Sequence, residues 1–159
     1  MTGFLTGRTA LVTGGGRGIG AATAVALAEA GVTHVALVAR SAEQLQITAE
    51  QVRQVGGTVT VFARDLLDLS ALPKLATEIT SAVGGVDILI NNAATVAPLG
   101  PSAQIAPGAF QSALTLNVVV PAALSALFSP GMRDRGWGRI VNVSTGIAAH
   151  PENMIGGNS

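Results

Sequence analysis

The sequence predicts an α/β domain of the doubly wound kind, one parallel sheet with helices on both faces. Three observations carry that expectation. Short β-prone runs alternate with helical segments along the whole chain, and such alternation gives parallel strands because each right-handed crossover returns to the same sheet. A glycine-rich turn joins the first strand to an alanine-rich helix. The run Val86–Ile90 is apolar at nearly every position, as a strand buried on both faces requires.

Taken in order, Thr9–Thr13 (T-A-L-V-T) is the first strand. Gly18–Ala30 is rich in alanine, with Ile19, Val25 and Leu27; its small side chains suit close packing on a sheet, and Gly31 supplies a C-terminal stop. Thr33–Ala39 reads as the second strand. Ser41-Ala42-Glu43-Gln44 fits a capping box that opens a helix to about Gln54, and Gly56-Gly57 ends it. Thr58–Ala63 is the third strand. Ser70 is expected to cap a helix running to about Val83, ahead of Gly84-Gly85 and the fourth strand, Val86–Ile90. Ala93–Pro107 is a loop rich in Ala, Pro and Gly. A long helix from about Gly108 to Arg133 and a fifth strand, Arg139–Ser144, complete the pattern.

Composition narrows the function classes. The 159 residues fit a single domain, 1–159, and 48% hydrophobic against 11% charged residues is the balance of a folded core rather than of disorder. Nine basic and nine acidic residues cancel, so no charge imbalance points to nucleic acid or anionic lipid. With no Cys there are no disulfides, thiolate metal sites or Cys nucleophile. His34 in a strand and His150 in a late loop have no ligand cluster around them, so no metal site is expected. The N-terminus lacks a basic region followed by an apolar run. The longest apolar stretch, Val118–Phe128, is broken by Pro121 and short for a bilayer. The expectation is a cytoplasmic protein without a membrane or nucleic-acid partner.

The turn Thr13-Gly14-Gly15-Gly16-Arg17-Gly18-Ile19-Gly20 carries the first chemistry. Glycines there admit positive φ and let backbone N–H groups approach a pyrophosphate, and the helix N-terminus behind them favours negative charge. The spacing Gly14-x-x-x-Gly18-Ile19-Gly20 resembles the T-G-x-x-x-G-I-G fingerprint of classical short-chain dehydrogenases/reductases. It fits the G-x-G-x-x-G of larger dehydrogenases less well, although Gly14, Gly16 and Gly18 allow a partial match. Further motifs follow in the family's order: Asp65-Leu66 after the third strand, Asn91-Asn92-Ala93-Ala94 after the fourth (Ala94 standing where the family usually has Gly), Asn117 in the long helix, and Ser144 in Val141-Asn142-Val143-Ser144. Within the family the chain resembles 3-ketoacyl-acyl carrier protein reductases. The resemblance implies a Rossmann-type fold and hydride transfer between a nicotinamide cofactor and a carbonyl or alcohol substrate. It assigns Gly14, Gly16, Arg17, Gly18, Ile19, Gly20, Arg40, Ser41, Asp65, Leu66, Asn91 and Ala93 to the cofactor, with Asp65 receiving the adenine amino group.

The end of the second strand addresses cofactor choice. An NAD-preferring enzyme usually carries an acid there to bind both ribose hydroxyls. Here Val38-Ala39-Arg40-Ser41 offers no carboxylate, Arg40 can pair with a 2′-phosphate, and Arg17 can approach from the glycine turn. NADP(H) is therefore expected over NAD(H).

By the same resemblance, Ser144 steadies the substrate oxygen and Asn117 holds a relay water. Pro121, four residues after Asn117, has no N–H for the Asn117 carbonyl, so the helix is expected to kink there with that carbonyl free. The family's Y-x-x-x-K is missing: there is no Tyr, Lys74 is the only Lys and lies in the wrong part of the fold, and His150 reads as an ordinary loop residue. The chain is thus expected to be a truncated form, inactive alone, of an oxidoreductase. The resemblance implies a homo-dimer or tetramer; Ala113–Phe128 is apolar enough for its interface, and burial of that helix against its own sheet explains the pattern equally well. Arg139–Ser144 would then be an exposed, association-prone sheet edge. Two other readings stay open: a non-catalytic nucleotide-binding module, supported by the absent Tyr, and a fragment that binds nothing. Serine hydrolase chemistry is not expected, because no elbow motif surrounds Ser144.

Overall fold

The computed structural model describes residues 3–97, 100 and 104–145. Strands β1 (Thr9–Thr13), β2 (His34–Ala39), β3 (Thr58–Ala63), β4 (Ile88–Asn91) and β5 (Arg139–Asn142) form one sheet in the order β3-β2-β1-β4-β5. Every pairing is parallel, with Leu11 opposite both Ala36 and Leu89. This is the doubly wound architecture the alternation predicts. His150 and everything else after Thr145 lie outside the described residues.

Two cores sit on the two faces, divided by strand alternation. On one face Ala10, Val12, Val35, Leu37, Ile88 and Ile90 meet α1 (Gly18–Glu29) and α2 (Ala42–Gln54). In α1 the buried residues Gly20, Ala24 and Ala28 fall four apart, and these short side chains give the close approach their composition suggests. Ser41 caps α2 as expected, its hydroxyl oxygen accepting the Gln44 N–H at 3.2 Å. On the other face Leu11, Ala36, Val38 and Leu89 meet α3 (Leu72–Val83) and a long helical segment, Pro107–Asp134. Val120, Leu124, Phe128 and Met132 form the buried stripe of that segment; fully burying each of the larger ones is worth roughly 1.5–3 kcal/mol.

Four expectations change in detail. Ser70 does not cap α3: it lies in a 3-10 turn, Leu69–Ala71, and its hydroxyl donates to Asp68 Oδ1 at 2.6 Å, while Ala71 occupies the N-cap. The fourth strand begins at Ile88 and the fifth ends at Asn142, because only those residues find ladder partners, although Val143 N–H still donates to the Asn91 carbonyl at 2.9 Å. The long helix is continuous from Pro107 to Asp134 but is α-helical only over α4 (Pro107–Leu114) and α5 (Val120–Asp134). Between them Thr115–Val119 is a π-helical turn, with Val120 N–H donating to the Thr115 carbonyl. That wide turn stands just ahead of Pro121, whose missing N–H interrupts the i→i−4 ladder. Finally, the apolar stretch Val118–Phe128, short for a bilayer by itself, lies within a 28-residue helix that is long and apolar enough, by length and composition, to cross a membrane. One stripe of this helix packs on the sheet, and Phe110, Leu114, Val118, Val119 and Leu127 are exposed.

At the N-terminal edge of the sheet, Asp87 is buried between strands and helix. Its Oδ1 accepts from Arg135 Nε at 2.9 Å and its Oδ2 from the Thr9 N–H at 3.1 Å, while Arg135 Nη2 reaches the Val86 carbonyl at 2.6 Å. The pair ties the end of α5 to the starts of β1 and β4.

Candidate functional site

Strand order reverses between β1 and β4, since β1 connects onward to β2 on one side and borders β4 on the other. In open α/β sheets the carboxyl ends of the strands at such a reversal form a crevice. A groove of about 1100 Å³ lies there. Four segments that follow four different strands line it: Gly14 and Gly16–Ile19, then Ala39–Ser41 with Gln44, then Arg64–Leu67, then Asn92–Ala94; Leu116 of the π turn closes one side.

The glycine turn is held to the β4 loop by a small hydrogen-bond knot. Thr13, 2% exposed, donates its hydroxyl to the Ile90 carbonyl (3.2 Å) and accepts the N–H groups of Asn92 and Ala93 (both 3.0 Å). Asn92 Nδ2 donates back to the carbonyls of Thr13 (3.0 Å) and Gly14 (3.3 Å). Two glycines are sterically required here. Gly14 has φ +65°, and a Cβ on it would stand 2.8 Å from Asn92 Nδ2; a Cβ on Gly20 would stand 2.3 Å from the Gly14 carbonyl oxygen. Arg17 occupies the N-cap of α1 without offering a side-chain acceptor, so no side chain at the cap satisfies the first-turn N–H groups beside the groove. Uncapped donors, a positive helix end and two nearby guanidiniums form a cradle whose chemistry suits a pyrophosphate.

The other candidates sort clearly. Gly14, Gly16, Arg17, Gly18, Ile19, Arg40, Ser41, Asp65, Leu66 and Ala93 all line the groove. Gly20 and Asn91 do not: Gly20 is packed beneath the turn, and Asn91 is buried in the sheet, where its Nδ2 donates to Asn142 Oδ1 at 2.8 Å and its own Oδ1 has no partner among the described residues. Asp65 Oδ1 accepts the Leu67 N–H at 3.0 Å, which shapes the chain after β3. Asn117 lies in the π turn and grips the β4 loop with both side-chain atoms, Oδ1 accepting the Thr95 N–H (2.9 Å) and Nδ2 donating to the Thr95 carbonyl (2.8 Å). Ser144 is exposed just past β5, at the same edge of the sheet as the groove. Neither Asn117 nor Ser144 lines the groove among the described residues. Sequence reasoning passed over Gln44, Arg64, Leu67 and Leu116 as lining residues. For Arg64 a signal existed, its position one residue past a strand end beside Arg40.

The family model described as short chain dehydrogenase matches residues 8–156. This chain belongs to the short chain dehydrogenase family. Among relatives, an uncharacterized oxidoreductase of Mycobacterium tuberculosis, Rv1543, is 42% identical over 145 residues, covering 87% of this chain and 42% of that protein. A solved 3-oxoacyl (acyl-carrier-protein) reductase from Agrobacterium tumefaciens with NADP bound superposes with a TM-score of 0.85 at 34% identity, over 92% of this chain and 56% of its own. An NAD⁺-bound xylitol dehydrogenase gives 0.86 at 29% identity, over 92% and 56%. This short chain dehydrogenase sequence spans about half the length of the curated relatives it matches. Its structural relatives hold either dinucleotide, so membership of the family leaves cofactor preference to the residues of the groove.

Proposed function

We propose that this chain is the dinucleotide-binding part of an NADP(H)-dependent oxidoreductase acting on a small carbonyl or alcohol. The observation that carries the reading is the groove at the strand reversal, which presents Arg17 and Arg40 and has no carboxylate at the end of β2. When bound, the cofactor supplies hydride chemistry. The chain's own part is to bind and orient it. Gly14–Ile19 and the N-terminus of α1 hold the pyrophosphate, while Gly20 keeps the turn close to the helix. Arg17, Arg40 and Ser41 hold the 2′-phosphate; the Ser41 oxygen accepts the Gln44 N–H, which leaves its proton to donate. Asp65 and Leu66 receive the adenine, Ala93 borders the nicotinamide side, and Asn91 supports the strand beneath it.

In this reading Ser144 steadies the substrate oxygen. Asn117 acts through position: its side chain is committed to Thr95, so its main chain is what remains to hold a relay water. The family's proton-donating Tyr and its Lys partner have no counterpart among the 159 residues. We therefore assign turnover to the whole protein and nucleotide binding to this chain, with self-association through the outward face of Pro107–Asp134. The absent Tyr equally favours a second reading, a nucleotide-binding module without catalysis; intact mass of the protein from its source separates the two.

Titration with NADPH and NADH, following nucleotide fluorescence and thermal stability together, tests the assignment. NADPH should bind about tenfold or more tightly, the scale of a charge-assisted bond, and Arg40→Asp should reverse the order. Tighter binding of NADH, or of neither nucleotide by the folded chain, would overturn it.

A further inference from the structure

We infer that Arg64 is a specificity-determining residue that adds a third positive charge beside the 2′-phosphate position. The inference rests on the NADP(H) reading above and extends it to a residue beyond Arg17 and Arg40.

The register makes the case. Ala39 lies opposite Ala63, and Arg64 N–H donates to the Ala39 carbonyl at 2.9 Å, so Arg40 and Arg64 leave adjacent strand ends side by side. Like charges placed opposite one another on neighbouring strands are unfavourable, and Glu78, 3.3 Å from Arg64, offsets only part of this pair. Among the described residues, the charged ones lining the groove are Arg17, Arg40, Arg64 and Asp65, three positive against one negative. A phosphate monoester brings about −1.5 to −2 charges and matches that excess; the 2′-hydroxyl of NAD(H) brings none.

Arg64 is also the tethered member of the set. Its Nη1 donates to the Ala63 carbonyl at 2.9 Å and its Nη2 to Glu78 Oε2 on α3 at 3.3 Å. Glu78 does not line the groove; with Lys74 it lines a smaller adjoining cavity of about 160 Å³, which shares Arg64 and Asp65 with the groove. Two of the guanidinium's nitrogens are thus already engaged, one of them by a carboxylate outside the groove. It serves as a fixed charge rather than a fork closing on phosphate, so it acts through potential and responds to salt. Glu78 offsets part of that charge, and removing the carboxylate strengthens the effect.

The test compares NADPH and NADH affinities of the chain and of Arg64→Gln, Arg64→Lys and Glu78→Gln, at low and at high salt. Arg64→Gln should weaken NADPH about three- to tenfold and leave NADH nearly unchanged, the loss shrinking as salt rises. Arg64→Lys keeps the charge and should keep most of the preference, and Glu78→Gln should tighten NADPH. Equal weakening of both nucleotides by Arg64→Gln would make Arg64 a wall for the adenosine and overturn the inference, as would an unchanged NADPH affinity. Should Arg64→Gln fail to fold, the sign of the Glu78→Gln effect decides: weaker NADPH binding overturns the inference. Absence of any NADPH preference in the parent chain overturns the underlying reading itself, and is seen before any variant is made.

Discussion

Thr13 shows how much one side chain can organise. A single hydroxyl joins the end of β1 to the end of β4 and holds the two loops that face each other across the groove. Thr13→Val keeps the shape and leaves two N–H groups without an acceptor. We expect a loss of about 2–3 kcal/mol in urea unfolding, with weaker binding of both nucleotides. His34 is a second residue-scale case. Burial lowers its pKa from 6.5, and its Nε2 lies 2.8 Å from Thr60 Oγ1. A histidine whose folded pKa is depressed holds fewer protons folded than unfolded, so stability is complete above pH 6.5 and falls as the pH drops through that value toward the folded pKa. Melting temperatures measured from pH 8 to about 5 should decline on the acid side, and His34→Gln should flatten that limb; an unchanged slope would remove His34 from the account.

At the scale of elements, the helix Pro107–Asp134 and the Asp87–Arg135 pair do the positioning. The π-helical turn carries Leu116 at the groove wall and Asn117 against Thr95, so the irregularity lies where the helix meets the site. Such turns concentrate at functional places. At the opposite edge of the sheet, Asp87 joins three elements, and its side chain is 9% exposed against 38% for Arg135. Asp87→Ala strands a partly buried guanidinium and the Thr9 N–H. Because Arg135 keeps some contact with solvent, the expected cost is about 1–3 kcal/mol, below that of a fully buried pair. Chemical denaturation is the measurement, and nucleotide selectivity should not move.

For the whole molecule, the relevant quantity is the apolar surface left open. Phe110, Leu114, Val118 and Val119 are exposed on one helix, and Ile140, Val141 and Val143 on and beside the edge strand β5. Unpaired strand edges and contiguous apolar faces associate. Light scattering should show concentration-dependent assembly of this chain, and Leu114→Glu with Val118→Glu should reduce it. A clear, monomeric solution at high concentration would count against association through the helix face.

Local chemistry made much of this legible in advance. The strand runs, the Ser41 cap and the glycine turn depend on residues close in the chain, whose spacing and conformational preferences are visible in one dimension. The wrong cap at Ser70 has a local cause too: its hydroxyl found Asp68 two residues away, and a 3-10 turn took the place of the first α turn. Other features need contacts between distant segments. Asn91 and Asn92 are neighbours in sequence, yet strand alternation turns one into the sheet and leaves the other at the groove. The Asn117 grip on Thr95 spans 22 residues, and the placement of Arg64 beside Arg40 follows from β2–β3 register. Sequence alone was enough for the fold class, the glycine turn between β1 and α1 and the absence of Tyr. Which side chains face the groove, and which charges stand together in it, was decided only when parallel pairing brought four strand ends to one edge, because register and the direction of each side chain are set by partners far away along the chain.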